Sequence, residues 1–176
     1  MFEFLRTLIQ FFESNNISYM LSGSVAMSIY TLPRFTRDFD FVTHLEVKDV
    51  PVLINTFKEG YYCDEDAIRD AIRNKGMFNI IEHKSSYKAD FVILKNEPYR
   101  QAEFERRKEI DFLNMKVCIV SPEDLLLSKI IWIQELQSNI QMDDIKALKE
   151  MQGLDWNYIQ YWIEALKLNT FDLLNK

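Results

Sequence analysis

The sequence predicts an α+β protein, in which a mixed β-sheet core is flanked by helices and followed by a helical region. Short segments of alternating apolar residues are interspersed with segments of helical apolar spacing, and after residue 120 only the helical spacing continues. The 176 residues are 48% hydrophobic and 27% charged, which is enough to bury a core. We therefore expect a core over residues 1–120 and a C-terminal helical region over 121–176, packed on that core.

The helices are predicted from apolar spacing and from the residues at their ends. Residues 2–14 carry six apolar side chains at helical spacing. A helix that opens at 22–24 must end before Pro33, because proline disfavours helix in the residue before it. Ser121 and Pro122 are typical of a capped helix start. Further helices are predicted over 48–59, 64–75, 99–109, 142–152 and 155–168.

The strands are predicted where apolar residues alternate or cluster between turn residues. Residues 38–43 alternate, so that Phe39 and Phe41 lie on one face and Asp38 and Asp40 on the other. Residues 78–82 and 87–94 have the pattern of a hairpin, and 17–21 and 115–120 are the remaining predicted strands.

Charge and cysteine content restrict the class of protein. The net charge of −6 argues against a general nucleic-acid coat, although ten of the 21 basic residues lie between Arg69 and Lys108 beside six acids. That basic stretch is where a polyanion would bind, or it is a solvated surface. Cys63 and Cys118 fit no metal spacing and are expected to be reduced thiols near the core. No segment reaches the roughly 18 apolar residues of a membrane span, and no export signal is visible, so a cytoplasmic location is expected.

Three acids are candidates for metal chemistry. Asp38 and Asp40 project from the same face of a strand, and two carboxylates so close repel each other unless a cation lies between them. Oxygen ligands at this spacing suit Mg²⁺ or Mn²⁺, although an Asp-Phe-Asp segment alone is more often a solvated strand end. Asp90 is a charge within an otherwise apolar strand, where an unpaired acid is costly. If the two strands are neighbours, the three carboxylates converge.

The segments before the acids offer groups that bind phosphate. Gly23 and Ser24 lie at a helix start, where backbone N–H groups and the helix dipole favour anions. For Ser24 alone, an N-cap role is the simpler interpretation. Arg34 and Arg37 could neutralise the acids or hold phosphate oxygens.

These residues together resemble a known superfamily. Segments 21–24 (Leu-Ser-Gly-Ser), 38–41 (Asp-Phe-Asp-Phe) and 89–91 (Ala-Asp-Phe) resemble the signature of the DNA polymerase beta-like nucleotidyltransferases. Segment 34–40, with Arg34, Thr36, Asp38 and Asp40 at alternate positions, resembles the branch that includes bacterial abortive-infection toxins and their uncharacterised relatives. The likeness covers most of the chain.

The resemblance implies transfer of a nucleoside monophosphate from an NTP to an acceptor hydroxyl. Asp38, Asp40 and Asp90 would hold Mg²⁺ or Mn²⁺ and carry catalysis, and Lys129 would reach the triphosphate unless it is a surface lysine. A larger set, identified by motif position, would bind the nucleotide: Gly23, Ser24, Arg34, Thr36, Arg37 and Lys129. The acceptor is RNA such as tRNA, a partner protein or a small molecule, and a toxin-antitoxin or phage-defence setting is implied. The alternative is a catalytically silent nucleotide-binding or antitoxin module on the same fold.

Overall fold

The protein was studied as a computed structural model, which describes residues 2–31, 33 and 36–175. In chain order the helices are α1 (Phe2–Ser14), α2 (Gly23–Tyr30), α3 (Val50–Phe57), α4 (Glu65–Asn74), α5 (Pro98–Glu105), α6 (Pro122–Glu135), α7 (Asn139–Lys149) and α8 (Trp156–Ala165). The strands are β1 (Tyr19–Ser22), β2 (Asp38–Thr43), β3 (Tyr61–Tyr62), β4 (Met77–Glu82), β5 (Lys88–Ile93), β6 (Lys108–Phe112) and β7 (Met115–Ile119). A 3-10 turn at Val47–Asp49 precedes α3. The α+β class predicted from the sequence is confirmed.

The strands form one mixed sheet in the order β3-β4-β5-β2-β1-β7-β6. The central pair β2 and β5 is parallel, and so is the pair β1 and β7, whereas the other neighbours are antiparallel. Because β2 and β5 are distant in sequence but adjacent in the sheet, their pairing brings together side chains that the chain order separates.

Each face of the sheet has its own apolar core. Helices α1, α3 and α4 cover one face, where Phe12 stacks on Tyr19 with ring centroids 4.6 Å apart and also contacts Phe41 and Phe91. The other face is covered by α2, α6, α7 and α8. Alternation along β2 and β5 therefore places their phenylalanines against α1 and their acids on the side of α2 and α6.

Helix α6, the first of the C-terminal helices, begins where the sequence predicts. The Ser121 hydroxyl accepts a hydrogen bond from the Asp124 backbone N–H, and Pro122 is the first residue of α6. Buried leucines and isoleucines of α6 pack against Met20 and Met27 of the core and against α7 and α8.

One predicted element was wrong. The helix expected over 99–109 ends at Glu105, and residues 108–112 form β6, which pairs with β7 in a hairpin. The turn of this hairpin has positive φ at both Leu113 (53°) and Asn114 (60°). Such turns usually show Asn-Gly or Asp-Gly in sequence, and Leu-Asn lacks that signal. The charged residues of β6 are typical of an edge strand, and they had suggested a helix surface instead.

Three further predictions, on a helix, on the cysteines and on membrane spans, concern parts of the chain that the structure describes. The helix expected over 142–152 lies three residues earlier, at Asn139–Lys149. Cys63 and Cys118 are free thiols that pack against the core, as expected. Over the described part of the chain, no helix combines the length and the apolar character that crossing a bilayer would require.

Candidate active site

The pairing of β2 with β5 brings the three predicted acids together. Asp40 lies directly opposite Asp90 in the parallel register, and Asp38 lies opposite Lys88. Residues opposite each other in a ladder share a face, so the four charged side chains project to the same side of the sheet. The strand adjacency on which the predicted convergence depends is therefore present, and the three acids share one face of the sheet.

Helix α2 begins against the Asp40 carboxylate. The Ser24 backbone N–H lowers the pKa of this carboxyl, at the helix end where the dipole favours negative charge. Ser22 is the N-cap residue of α2 and makes no side-chain cap bond, so the N-cap role considered for Ser24 is wrong. Ser24 instead helps to orient Asp40.

Gly23 is required at this start because the carboxylate lies so close. Its φ is +61°, a left-handed conformation that glycine adopts readily. A Cβ at this position would overlap the Asp40 carboxylate and would lie 2.8 Å from Asp40 Cβ. The glycine therefore permits both the turn from β1 into α2 and the contact of the helix start with Asp40.

The electrostatic environment disfavours a negative charge on Asp40. Burial raises the pKa of the Asp40 carboxyl, and the nearby charge of Asp90 raises it further, while the Ser24 N–H acts in the opposite direction. Two acids in register on adjacent strands thus need a cation.

Lys88 provides one positive charge at this place. Its Nζ lies 2.8 Å from Asp90 Oδ2 and 4.0 Å from Asp38 Oδ1. The hydrogen bond with Asp90 raises the pKa of the Lys88 ammonium, so the lysine stays charged at neutral pH. Lys88 was not predicted to have a role, although its position two residues before Asp90 on a strand is a signal that the two side chains share a face.

The positions of the acid side chains bear on whether they can bind a divalent cation. Within the described residues, no three acid, histidine or cysteine side chains form a preassembled metal site. Asp90 is 8% exposed, and its Oδ1 atom is buried with no hydrogen-bond partner among the described residues. A buried carboxylate oxygen without a partner is costly, and oxygen donors suit Mg²⁺ or Mn²⁺. The three acids therefore supply oxygen donors of the kind that such an ion binds, although Lys88 occupies Asp90 Oδ2 in this structure.

A pocket of about 420 Å³ opens beside Asp38 and Asp40. The start of α2 lines it on one side, and residues of α5, α6 and α7 line it on the other. At α6 the Trp132 side chain lines the pocket with 61% of the residue exposed. The volume is in the range of small-molecule sites.

Lys129, which the resemblance directs to a triphosphate, lines this pocket but is ion-paired. Its Nζ donates to Asp144 Oδ2 at 2.6 Å and to Gln141 Oε1 at 3.0 Å, and the residue is 5% exposed. A surface lysine, the alternative considered from sequence, is thus wrong, whereas contact with phosphate stays a prediction. Its present bonds connect α6 to α7.

The segment before Asp38 is partly described. The Thr36 hydroxyl accepts a hydrogen bond from the Asp38 backbone N–H at 3.2 Å and lies 3.3 Å from the Asp38 carbonyl. The Arg37 carbonyl accepts from the Lys88 N–H at 3.0 Å, which extends the β2–β5 ladder. Arg34 lies outside the described residues. Nucleotide contacts for Thr36 and Arg37 stay predictions.

The pocket also contains a polar network that sequence reasoning missed. Arg100 donates to Glu103 Oε2 at 2.8 Å and to the Ser128 hydroxyl at 3.0 Å, and Ser128 donates to Glu103 Oε1 at 2.6 Å. Glu103 is 2% exposed, and burial raises the pKa of its carboxyl. From the sequence, Arg100 and Glu103 belong to a predicted charged helix. Their spacing does not show that this helix packs against α6, so the network could not be predicted.

Comparison with known proteins bears on the fold. Neither a protein-family model nor a curated protein sequence matches this chain. Among solved structures, a lincosamide antibiotic adenylyltransferase bound to lincomycin superposes with a TM-score of 0.56 at 18% identity, over 83% of this chain and 94% of that one. The resistance factor ANT(2'')-Ia, in complex with adenylyl-2''-tobramycin, superposes with a TM-score of 0.61 at 10% identity, over 94% and 95% of the two chains.

A third structure is similar to the same extent. An antigenic nucleotidyltransferase-like protein from Paracoccidioides brasiliensis superposes with a TM-score of 0.54 at 17% identity, over 90% of this chain and 83% of that one. The chain therefore has the nucleotidyltransferase fold that its sequence motifs predicted. A resemblance to the toxin branch in particular is not found among these structures.

Proposed function

We propose that this protein is a metal-dependent nucleotidyltransferase, which moves a nucleoside monophosphate from an NTP to the hydroxyl of an acceptor. The observation that carries the proposal is the parallel register of β2 and β5 in a nucleotidyltransferase fold, which sets Asp90 beside Asp40, and Asp40 lines the pocket. Structural likeness alone does not define chemistry, so the acids are the decisive part.

The proposed reaction is an in-line transfer of the nucleoside monophosphate. The acceptor oxygen attacks the α-phosphorus, the bond to the bridging oxygen breaks, and pyrophosphate leaves. Asp38 and Asp40 would hold Mg²⁺ or Mn²⁺ with Asp90, and the bound ion would neutralise charge on the phosphates. Asp90 would accept the proton of the acceptor hydroxyl. The start of α2 at Gly23 and Ser24 favours a phosphate nearby through its dipole.

The pocket has a surface suited to a planar ring. Trp132 presents an exposed indole at the pocket that Asp38 and Asp40 line. An aromatic face stacks on nucleobases with little dependence on their identity. We assign the nucleobase of the NTP to this side of the pocket.

A small acceptor is favoured over RNA. Two of the similar structures contain lincomycin or adenylyl-tobramycin, and the pocket volume suits a molecule of that size. Five residues of the basic stretch lie within ion-pair distance of acids, which reduces its attraction for a polyanion: Arg69, Lys88, Lys95, Arg100 and Arg106. The toxin-antitoxin setting implied by the sequence stays a prediction, with no support from these comparisons.

The test is a label-transfer assay with each α-labelled NTP and Mg²⁺ or Mn²⁺. The acceptors are a panel of hydroxylated antibiotics, total RNA and a protein lysate. We expect transfer to a small molecule, reduced roughly 1,000-fold or more in Asp38→Asn and Asp40→Asn, because each variant removes a ligand charge at the phosphates.

The chain offers a matched control for these variants. Glu109 and Asp111 have the same two-residue spacing on β6, where both pair with Lys116 outside the pocket. Asp111→Asn should leave transfer unchanged. Labelled RNA instead of a small product would overturn the acceptor assignment, whereas NTP binding with no transfer to any acceptor would favour the silent binding module.

A further inference from the structure

Lys88 is a cation held between acids of two different strands. It lies opposite Asp38 on β2 and two residues before Asp90 on its own strand, so it shares a face with both. The ammonium contacts Asp90 at 2.8 Å and approaches Asp38 to 4.0 Å, while 34% of the lysine side chain is exposed. Among the ion pairs seen between described residues, those of Lys88 are the ones that involve these acids.

The pairing leaves the charge of the cluster incompletely balanced. Asp38, Asp40 and Asp90 bring three carboxylates to one face, and Lys88 is the one cation paired with them in the described residues. Asp90 uses Oδ2 for Lys88, while its buried Oδ1 has no hydrogen-bond partner in the described part of the chain. The Lys88 ammonium bound to Asp90 would therefore repel a divalent ion that approached these acids and would compete with it for the carboxylate.

We propose that the Lys88 ammonium is the resident counter-ion of this cluster, bound between Asp38 and Asp90 in the metal-free protein and displaced when a divalent cation binds. The inference rests on the metal role in the proposed function. Lys88 is a positioning residue: it holds the acids on adjacent strands without metal, and its flexible, part-exposed stem allows the ammonium to move towards solvent. Its presence weakens metal binding and lowers the dependence of the fold on metal.

The test compares Lys88→Met and Lys88→Arg with the unaltered protein, without nucleotide. Binding of Mn²⁺ is measured by electron paramagnetic resonance, and thermal unfolding is followed in EDTA and in Mn²⁺. We expect Lys88→Met to bind Mn²⁺ about 10-fold more tightly or better, since a competing charge is gone. We expect its Tm to be lower in EDTA and to rise more with Mn²⁺ than that of the unaltered protein. Lys88→Arg, which keeps the charge, should bind Mn²⁺ as the unaltered protein does.

Lys116→Met is the matched control, because it removes the same charge from a lysine that bridges Asp111 at 3.1 Å and Glu109 at 3.4 Å. It should leave Mn²⁺ affinity unchanged. If Lys88→Met fails to fold, Lys88→Gln, which retains a hydrogen-bond donor without the charge, provides the same comparison.

The outcomes separate this inference from the proposed function. Equal or weaker Mn²⁺ binding by Lys88→Met overturns the counter-ion role and leaves the metal-dependent transferase standing. Absence of Mn²⁺ binding in all variants overturns both the counter-ion role and the metal dependence. Tighter binding in Lys88→Met together with no transferase activity supports the counter-ion role on a silent module.

Discussion

Two groups of buried carboxylates in this protein differ in how completely they are hydrogen-bonded. Asp124, at the start of α6, is fully buried: Oδ1 accepts from the Tyr158 hydroxyl at 2.7 Å, and Oδ2 accepts from Ser121 at 2.6 Å and from Arg106 at 3.2 Å. Asp90, at the sheet centre, binds Lys88 through Oδ2 and leaves Oδ1 without a partner among the described residues.

The difference agrees with a structural role for Asp124 and with the ligand role proposed for Asp90. The Asp124 network joins α5, α6 and α8, and the Arg106 guanidinium also stacks 3.8 Å from the Tyr158 ring centroid. Burial raises the pKa of Tyr158, which keeps its hydroxyl protonated as the donor to Asp124. The protein itself satisfies both Asp124 carboxylate oxygens, whereas Asp90 Oδ1 has no hydrogen-bond partner in the described part of the chain.

The largest expected effect is on the satisfied network. Asp124→Ala leaves Arg106 and Tyr158 without their shared acceptor and should lower the free energy of unfolding by about 3 to 5 kcal/mol. Urea denaturation of this variant measures the loss. Asp90→Asn is the comparison within the other cluster and should cost far less stability while abolishing transfer. Comparable stability losses in the two variants would contradict the distinction.

A smaller effect is expected at the start of α2. Gly23→Ala places a methyl group against the Asp40 carboxylate and forces alanine into a left-handed conformation, so stability should fall by roughly 2 to 3 kcal/mol. Transfer should fall with it, since Asp40 must move. Gly153 is the matched control, because its φ is +80° and a Cβ there meets nothing within 4 Å. The excess cost of Gly23→Ala over Gly153→Ala in urea denaturation measures the clash alone, and no excess would show that Asp40 moves freely.

The smallest effect has the opposite sign. Because the folded protein raises the pKa of Asp40 above its unfolded value, folding favours the protonated carboxyl, and stability from this group is lost as pH rises through the folded pKa. Asp40→Asn cannot ionise, so in EDTA at pH 7 its Tm should be higher by about 2 to 4 °C. The gain should disappear below about pH 4, where the aspartate is protonated in both states.

A pH series of thermal unfolding in EDTA measures this difference, with exposed Asp111→Asn as the control. A Tm gain for Asp40→Asn that is the same at pH 3 and pH 7 would show that the cause is packing and not charge. A lower Tm at pH 7 would show that the Asp40 carboxylate is stabilised in the folded protein, against the burial argument.

Much of the acid cluster was predictable from the sequence. The alternation of residues 38–43 places Asp38 and Asp40 on one face of a strand, and Asp90 stands out as a charge in an apolar strand. Gly23 was identified by its position at a predicted helix start, where backbone N–H groups favour anions. These signals are local, since the two-residue period of a strand fixes which side chains share a face.

The edge hairpin and the polar contacts of α6 were not predictable in the same way. β6 carries mostly charged residues, so it shows no alternation of apolar and polar residues. The turn that follows it, at Leu113 and Asn114, lacks the glycine that usually marks a hairpin. Lys129 could be assigned either to phosphate or to the surface, and its ion pair with Asp144 depends on how α6 and α7 cross. Helical periodicity gives the face that is buried but does not identify the partner helix.

The sequence by itself determined the class of fold, most of the strands and helices, and the identity of the acids that could bind a metal. Only the tertiary structure decided that Asp40 and Asp90, fifty residues apart, are direct neighbours, and that Lys88 lies between the acids. The physical reason is that side-chain direction within a strand follows from local backbone geometry. The register between two strands distant in sequence depends on the packing of both faces of the sheet.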